Sequence, residues 1–346
     1  MSVNTSYRLP AEWEPQSAIL LAWPHDETDW LPYLNDITAT YLLLTRMIAE
    51  REQVIICTPE PYAVGTLLGQ QLPKALIKRI TLVGCPTNDT WCRDLGPITL
   101  VGNGEQLLLD FRFNGWGEKF AAALDNEVTR TLHAAGVLRG TLESHLDFVL
   151  EGGAIESDGQ GTILTTACCL LAPHRNQPLN QAEIEAELKR RLHAERILWL
   201  DHGQLQGDDT DGHIDTLARF APADTIVFQG CQDPDDAHFG ELQLMKKQLQ
   251  TLRTPQGKPY RLLELPLPRA LFDQQERLPA TYANFLVING AVICPTYGDR
   301  KNDEQALAVL AQAFPQRDIL PLDARTIVRQ HGSIHCLTMQ LPDIKQ

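Results

Sequence analysis

The order in which two hydrophobic periods alternate along this chain restricts its fold more than anything else in the sequence. Apolar residues recur at helical spacing over about 35–51, 118–136, 181–194, 236–252 and 302–314. Short strand-like runs follow, among them Val54-Ile55-Ile56-Cys57, Ile197-Leu198-Trp199-Leu200 and Arg261-Leu262-Leu263-Glu264. Hairpin signals lie between the helical stretches: Asn103-Gly104 divides Ile98 to Phe111, Asp158-Gly159 divides Phe148 to Thr166, and Asn289-Gly290 divides Phe285 to Pro295. Such dipeptides adopt the left-handed backbone that a tight turn between right-twisted strands requires. A fourth pair joins Ile214–Phe220 to Thr225–Gln229 through a proline-containing turn, and a fifth would join Ile19–Trp23 to His335–Leu341 from opposite ends of the sequence. The pattern predicts an α/β fold of five ββαβ units, closed into a ring by that last pair. The repeat is one of structure only, because helix starts are unequally spaced and no sequence identity links the units. Two separate α/β domains are the alternative. No Gly/Ser/Pro-rich linker divides the chain, and the prolines between Leu265 and Arg269 fit a loop, so one domain over residues 1–346 is expected.

With 346 residues and 43% hydrophobic content, the chain can bury a large core. Met1 to Trp13 lacks the charged and then apolar pattern of a leader, and no apolar run reaches the roughly 18 residues of a membrane span. A cytoplasmic location with no membrane partner is expected. The eight cysteines include no C-x-x-C pair, which argues against a zinc ribbon or a dithiol redox motif. A formal charge of −14 argues against nucleic acid and mildly favours a cationic small molecule.

The residues able to do chemistry stand at equivalent places in the units. Asp94 precedes the first hairpin, Glu151 lies in the second, His213 and Asp215 open the third, and Cys336 opens the last. If each unit turns that edge to a common centre, they converge. His213-Ile214-Asp215, taken as a strand, would project imidazole and carboxylate from one face. The acidic run Gly207 to Gly212 raises calcium, but its spacing does not fit an EF-hand. Asp94 could pair with Arg93 or cap a turn, Trp91 could be a core aromatic, and Glu151 could bond to backbone or orient His213. Cys336 alone would be read as an inert core thiol. A thiol with a reference pKa of about 8.5 is mostly protonated at neutral pH, and carboxylates disfavour its thiolate further. A guanidinium held by Asp94 and Asp215, or a protonated His213, would compensate, so that substrate helps to create its own nucleophile.

Trp91-Cys92-Arg93-Asp94-Leu95-Gly96-Pro97, Phe113-Asn114-Gly115-Trp116-Gly117, Glu151-Gly152-Gly153, Gly212-His213-Ile214-Asp215, Tyr282-Ala283-Asn284-Phe285 and Ile334-His335-Cys336 resemble the agmatine deiminases, in order and over nearly the whole chain. The resemblance implies the pentein fold, a five-bladed α/β propeller of ββαβ units with pseudo-fivefold symmetry. It also implies Cys336 as nucleophile, His213 as general acid and base, Glu151 as the group bonded to His213, Asp94 and Asp215 as guanidinium clamps, and Trp91 as substrate wall. No cofactor and no metal are implied, and a homodimer or higher homo-oligomer could form through an exposed strand edge or helix face. The segment Gln330-His331-Gly332-Ser333 departs from the glycines and asparagine usual in that family. Free arginine or peptidyl-arginine is the alternative substrate and would want a cationic anchor, for which Arg93, Arg112 and Arg175 are candidates. Two other classes remain, a non-enzymatic pentein scaffold and a metal-dependent hydrolase using His25, His213 and nearby aspartates.

Overall fold

The computed structural model describes residues 7–344; Met1–Ser6, part of the stretch read for a leader, and the last two residues lie outside the described residues. Five sheets of three or four strands carry one pattern, an antiparallel pair extended by a parallel third strand. In the first, β1 (Gln16–Ala22) runs antiparallel to β18 (Thr338–Pro342) and parallel to β2 (Gln53–Thr58), which is extended by β3 (Ile80–Gly84). The second joins β4 (Ile98–Gly102), β5 (Glu105–Arg112) and β6 (Thr141–Val149). The third joins β7 (Ile155–Ser157), β8 (Thr162–Thr166) and β9 (Arg196–Leu200). The fourth joins β10 (Ala218–Ala221), β11 (Thr225–Gln229) and β12 (Arg261–Leu265). After a two-residue pair, β13 (Phe272–Asp273) with β14 (Glu276–Arg277), the fifth joins β15 (Leu286–Ile288), β16 (Ala291–Thr296) and β17 (Asp318–Asp323). Helical segments make each parallel connection, as a crossover between parallel strands requires. Among the described residues the sheets are separate, with no ladder from one to the next.

Local chemistry explains the hairpins. Asn103 and Gly104 take φ of 54° and 75°, as a tight turn between right-twisted strands needs. Ala223 and Asp224 do the same at 59° and 53° after the predicted proline. The Asp158 carboxylate accepts the N–H groups of Gln160 and Thr162, closing a longer turn. Helix Gln181–Leu192 starts at an Asn180 capping box and turns Ile184, Leu188 and Leu192, all fully buried, onto one face. Burial of each contributes about 1.5–3 kcal/mol.

Three readings need correction. Phe148-Val149 belongs to β6 of the preceding sheet, so the second hairpin begins only at Ile155. The stretch 118–136 is not one helix: only Val128–Ala134 is α-helical. Asn126 spends its side chain on the backbone of Phe113 and Ala122, and Asp125 accepts the N–H groups of Asn88 and Asp89, local bonds that compete with the helix. His213-Ile214-Asp215 is not a strand; His213 precedes a 3-10 turn over Ile214–Thr216, which then enters β10. No described helix is long and apolar enough to cross a membrane.

This framework places the candidate residues. Asp94 lies in the helical turn before β4, Glu151 just ahead of β7, His213 and Asp215 ahead of β10, and Cys336 ahead of β18. Asn284 holds the same place before β15. In each of the five larger sheets, the lead-in to one strand of the antiparallel pair therefore contributes one or two polar side chains.

Candidate active site

Cys336 is 4% exposed and is held by Asn284 from two directions. The Asn284 side chain donates toward Sγ at 3.2 Å and accepts the Cys336 N–H at 3.3 Å. The same amide donates to Asp215 Oδ2 at 3.0 Å, and that oxygen lies 3.7 Å from Sγ. Burial, with Asp215 and Asp94 nearby, pushes the thiol well above its ordinary range. Burial would raise the Asp215 carboxyl too, but the hydrogen bond and charge of His335 prevail and hold it below its usual value. His335 donates from Nδ1 to Asp215 at 2.7 Å and faces Glu12 at 2.9 Å from Nε2. Glu12 bonds Arg219, and Arg219 bonds Glu156 at 2.7 Å. A chain of alternating charges therefore anchors Asp215 from behind, while its Oδ1 keeps no partner.

His213, Asp94 and Glu151 form the other side. Asp94 Oδ1 accepts the Gly153 N–H at 2.9 Å, and its Oδ2 accepts the Trp116 indole N–H at 3.0 Å. The His213 ring approaches Asp94 to 3.7 Å, too far for a hydrogen bond. Gly153 is required by space, because a Cβ there would meet His213 Nδ1 at 2.5 Å and Asp94 Oδ1 at 2.9 Å. Burial would lower the imidazole, but the charge of Asp94, the neighbouring Cys169 sulfur and the charge of Glu151 outweigh it, and His213 titrates well above its usual value. Burial raises the Asp94 carboxyl against the pull of that imidazole. The expected Glu151–His213 hydrogen bond is not made. Glu151 Oε1 instead accepts from Arg175 Nε at 3.0 Å, and Glu151 Oε2 and both His213 nitrogens are buried without hydrogen-bond partners.

A cleft opens over Cys336 and Asp94, with the buried face of Trp91 on its wall. Trp91 packs at a tilt against Trp30, ring centres 5.7 Å apart, and leaves no room for a side chain at position 332, where a Cβ would approach the ring to 2.2 Å. Asp29, Asp89, Asp94 and Asp209 all line the cleft, and no Arg or Lys is among its described lining residues. The cationic anchors considered for a substrate carboxylate are placed elsewhere. Arg175 is committed to Glu151, Asp211 and the Thr210 carbonyl, Arg93 to Gln340 and the His335 carbonyl, and Arg112 is exposed outside the lining. The acidic run 207–212 is closed on itself, Asp208 accepting from Thr210 and Gly212. His25 faces Thr87 and takes no part in the one described cluster of three potential metal ligands, which is Glu151, Cys169 and His213.

The sequence pointed to Cys336, His213, Asp94, Asp215, Glu151 and Trp91, and the structure brings all six together. It adds Asn284, Trp116 and His335, which stand inside recognised motifs, and Cys169, which no motif marked. The signal for Asn284 was its place before a hairpin, equivalent to that of the other site residues.

The family model of the Porphyromonas-type peptidyl-arginine deiminases matches residues 8–342. The agmatine deiminase of Stutzerimonas stutzeri is 32% identical, the match covering 97% of this chain and 95% of that protein. A solved C. jejuni agmatine deiminase with substrate bound is 39% identical, with a TM-score of 0.90, covering 99% of this chain and 98% of that one. A Porphyromonas gingivalis structure, provisionally named an arginine deiminase, is 48% identical, with a TM-score of 0.92, covering 97% and 98%. With nearly its whole described length matched by the family model, this chain belongs to the Porphyromonas-type peptidyl-arginine deiminase family.

Proposed function

We propose that this protein is an agmatine deiminase, hydrolysing the guanidino group of agmatine to N-carbamoylputrescine and ammonia, and that its five sheets are the blades of one pentein propeller. The observation that carries the substrate is the cleft above Cys336, walled by four aspartates and by no Arg or Lys among the described residues. Such a wall suits a substrate with a cation at each end and repels one ending in a carboxylate. The relatives named agmatine deiminases support the same choice. Eight free cysteines suit a reducing compartment such as the cytoplasm.

In this reading Asp94 and Asp215 accept the guanidinium donors and hold its carbon for attack from one face. Their charge, once neutralised by the cation, no longer opposes the Cys336 thiolate. The thiolate forms a bond to carbon, and His213 gives a proton to the departing nitrogen as the C–N bond breaks. Ammonia leaves, and an S-alkylthiouronium remains on Cys336. Water then adds to the same carbon while His213 takes its proton, and the C–S bond breaks to release the ureido product. Glu151 stays bonded to Arg175 beside His213.

A second reading is free or peptidyl arginine: the P. gingivalis structure, 48% identical, is provisionally named an arginine deiminase, and the matching family model is that of peptidyl-arginine deiminases. Ammonia release from agmatine, arginine and a blocked arginine peptide separates the two, with Cys336→Ser as control. The expected result is a kcat/KM for agmatine at least about 10²-fold above the others. Saturation by arginine alone would overturn the assignment.

A further inference from the structure

Behind the proposed acid–base histidine lies a thiol, Cys169, that the chemistry above does not use. Glu151, Cys169 and His213 are each 0% exposed, and one ligand atom from each lies within 4.8 Å of the others. Cys169 takes no part in holding Cys336 or the guanidinium clamp. Glu151 Oε2 and both nitrogens of His213 are buried without hydrogen-bond partners. Unsatisfied buried polar atoms are rare and cost about 1–3 kcal/mol each, so three in one place call for a reason. Simple packing accounts for the thiol, which sits in the apolar cluster with Ile155, Ile163 and Leu188, but not for a carboxylate oxygen and an imidazole nitrogen within 4.8 Å of it.

We propose that Glu151, Cys169 and His213 form a site for a thiophilic divalent cation, Zn²⁺ above all, and that its occupation inhibits the enzyme reversibly by withdrawing His213 from proton transfer. The proposal rests on the deiminase reading for the role of His213, but not for the binding itself. Thiolate, imidazole and carboxylate together are a zinc donor set, with metal–ligand bonds of about 2.0–2.3 Å. Tetrahedral geometry at those lengths puts ligand atoms about 3.3–3.8 Å apart. The side chains, whose ligand atoms lie within 4.8 Å of one another, must therefore close by up to about 1.5 Å. On ligation the Cys169 thiol and the His213 imidazole, which titrates well above its usual value, each give up a proton to water.

The supporting shell is in place. Arg175 fixes Glu151 through Oε1 and leaves Oε2 for the metal. Thr166 accepts the Cys169 N–H at 3.4 Å and donates to the Gly212 carbonyl at 2.6 Å, tying the segment that bears the thiol to the one that bears the imidazole. Groups of this kind orient ligands, and their loss typically costs 10–100-fold in affinity. The route in is acidic. Asp94, which lines the cleft, stands 3.7 Å from His213, and the aspartates at the mouth raise the local concentration of cations.

The test uses the full chain, freed of metal by a chelator and then titrated with ZnCl₂ and, in parallel, CoCl₂. Ammonia release should fall with Zn²⁺ and return on adding chelator. Cys169→Ala, scaled to its own metal-free rate, should need at least about tenfold more Zn²⁺ for half inhibition. Bound Co²⁺ should show a thiolate charge-transfer band in the wild type and in Cys336→Ala, and lose it in Cys169→Ala. The Cys336→Ala spectrum leaves position 169 untouched, so it decides the matter even if Cys169→Ala does not fold. A band lost in Cys336→Ala and kept in Cys169→Ala would place the metal on the nucleophile and overturn the proposal, as would no binding of either metal. Metal binding is read directly from protein absorbance, so failure of the deiminase reading would show separately, in the metal-free activity.

Discussion

The two halves of the buried polar centre are built on opposite terms. Behind Cys336, Asp215, His335, Glu12, Arg219 and Glu156 form a closed chain of charge-assisted bonds. Its ends are fastened to backbone: Glu12 accepts the Val287 N–H at 2.7 Å, Arg219 donates to the Phe285 carbonyl at 2.7 Å, and Glu156 accepts the Phe220 N–H at 3.1 Å. On the other side, His213 and Glu151 keep buried atoms with no partner, as does the front oxygen of Asp215. The closed half suits a scaffold, since a fully satisfied network holds one geometry. The open half suits reacting groups, since its unmet capacity is available to a guanidinium, a leaving nitrogen and a water. Asp215 belongs to both, anchored through Oδ2 and free at Oδ1.

The contrast is testable by removing one member from each side. His213→Ala should lower kcat by about 10²–10⁴, while the urea midpoint falls by less than in Glu12→Ala, because the charges of Asp94 and Glu151, and no network of hydrogen bonds, are left unmatched. A large loss of stability in that variant would merge the two halves into one. Glu12→Ala should do the reverse in emphasis. It leaves Arg219 and His335 short of an acceptor in a fully buried site, and breaking such a pair costs about 3–5 kcal/mol, read as a fall in urea midpoint at constant slope. An unchanged midpoint would remove the structural role assigned to that network.

A smaller effect sharpens the comparison at the margin of the core. Burial pushes Glu52 up to about 8 from 4.5, although the Asn289 backbone bond and Arg317 pull the other way. A carboxyl raised in the folded state holds more protons there than in the unfolded chain, so its contribution to stability is complete below about 4.5 and disappears as pH rises through about 8. Glu52→Gln keeps an acceptor for Asn289 and should flatten that decline in Tm. A Tm profile that falls equally in both proteins would rule out Glu52 as its source.

Much of this was legible in the sequence because local chemistry and global fold agree there. Asn103-Gly104 specifies a turn by its own backbone preference, and Ile184, Leu188 and Leu192 specify a helix face by spacing alone. The failures lie where long-range contacts decide. Trp116, at φ 55°, is held left-handed next to Asp94, and Asn126 is drawn to the backbone of Phe113, so the helical period of 118–136 does not become a continuous helix. His213-Ile214-Asp215 has the alternation of a strand but forms a 3-10 turn, with Thr216 Oγ1 donating back to the His213 carbonyl at 2.8 Å. The partner of Glu151 proved to be Arg175, because an acid at the bottom of a core takes the nearest buried cation. Cys169 was invisible for the reason any buried cysteine is: sequence does not say what its sulfur faces.

The most direct test of the central claim, that the bound cation creates the nucleophile, compares two pH profiles. One is the rate at which iodoacetamide alkylates Cys336 in the empty enzyme, with Cys336→Ser correcting for the other thiols; the other is kcat for agmatine. Burial and the two aspartates should keep alkylation rising far into the alkaline range, while the rising limb of kcat lies at least about one pH unit lower, the least shift expected from an opposite charge at close range. Limbs that coincide would mean that the thiol ionises without help from substrate, and would contradict it.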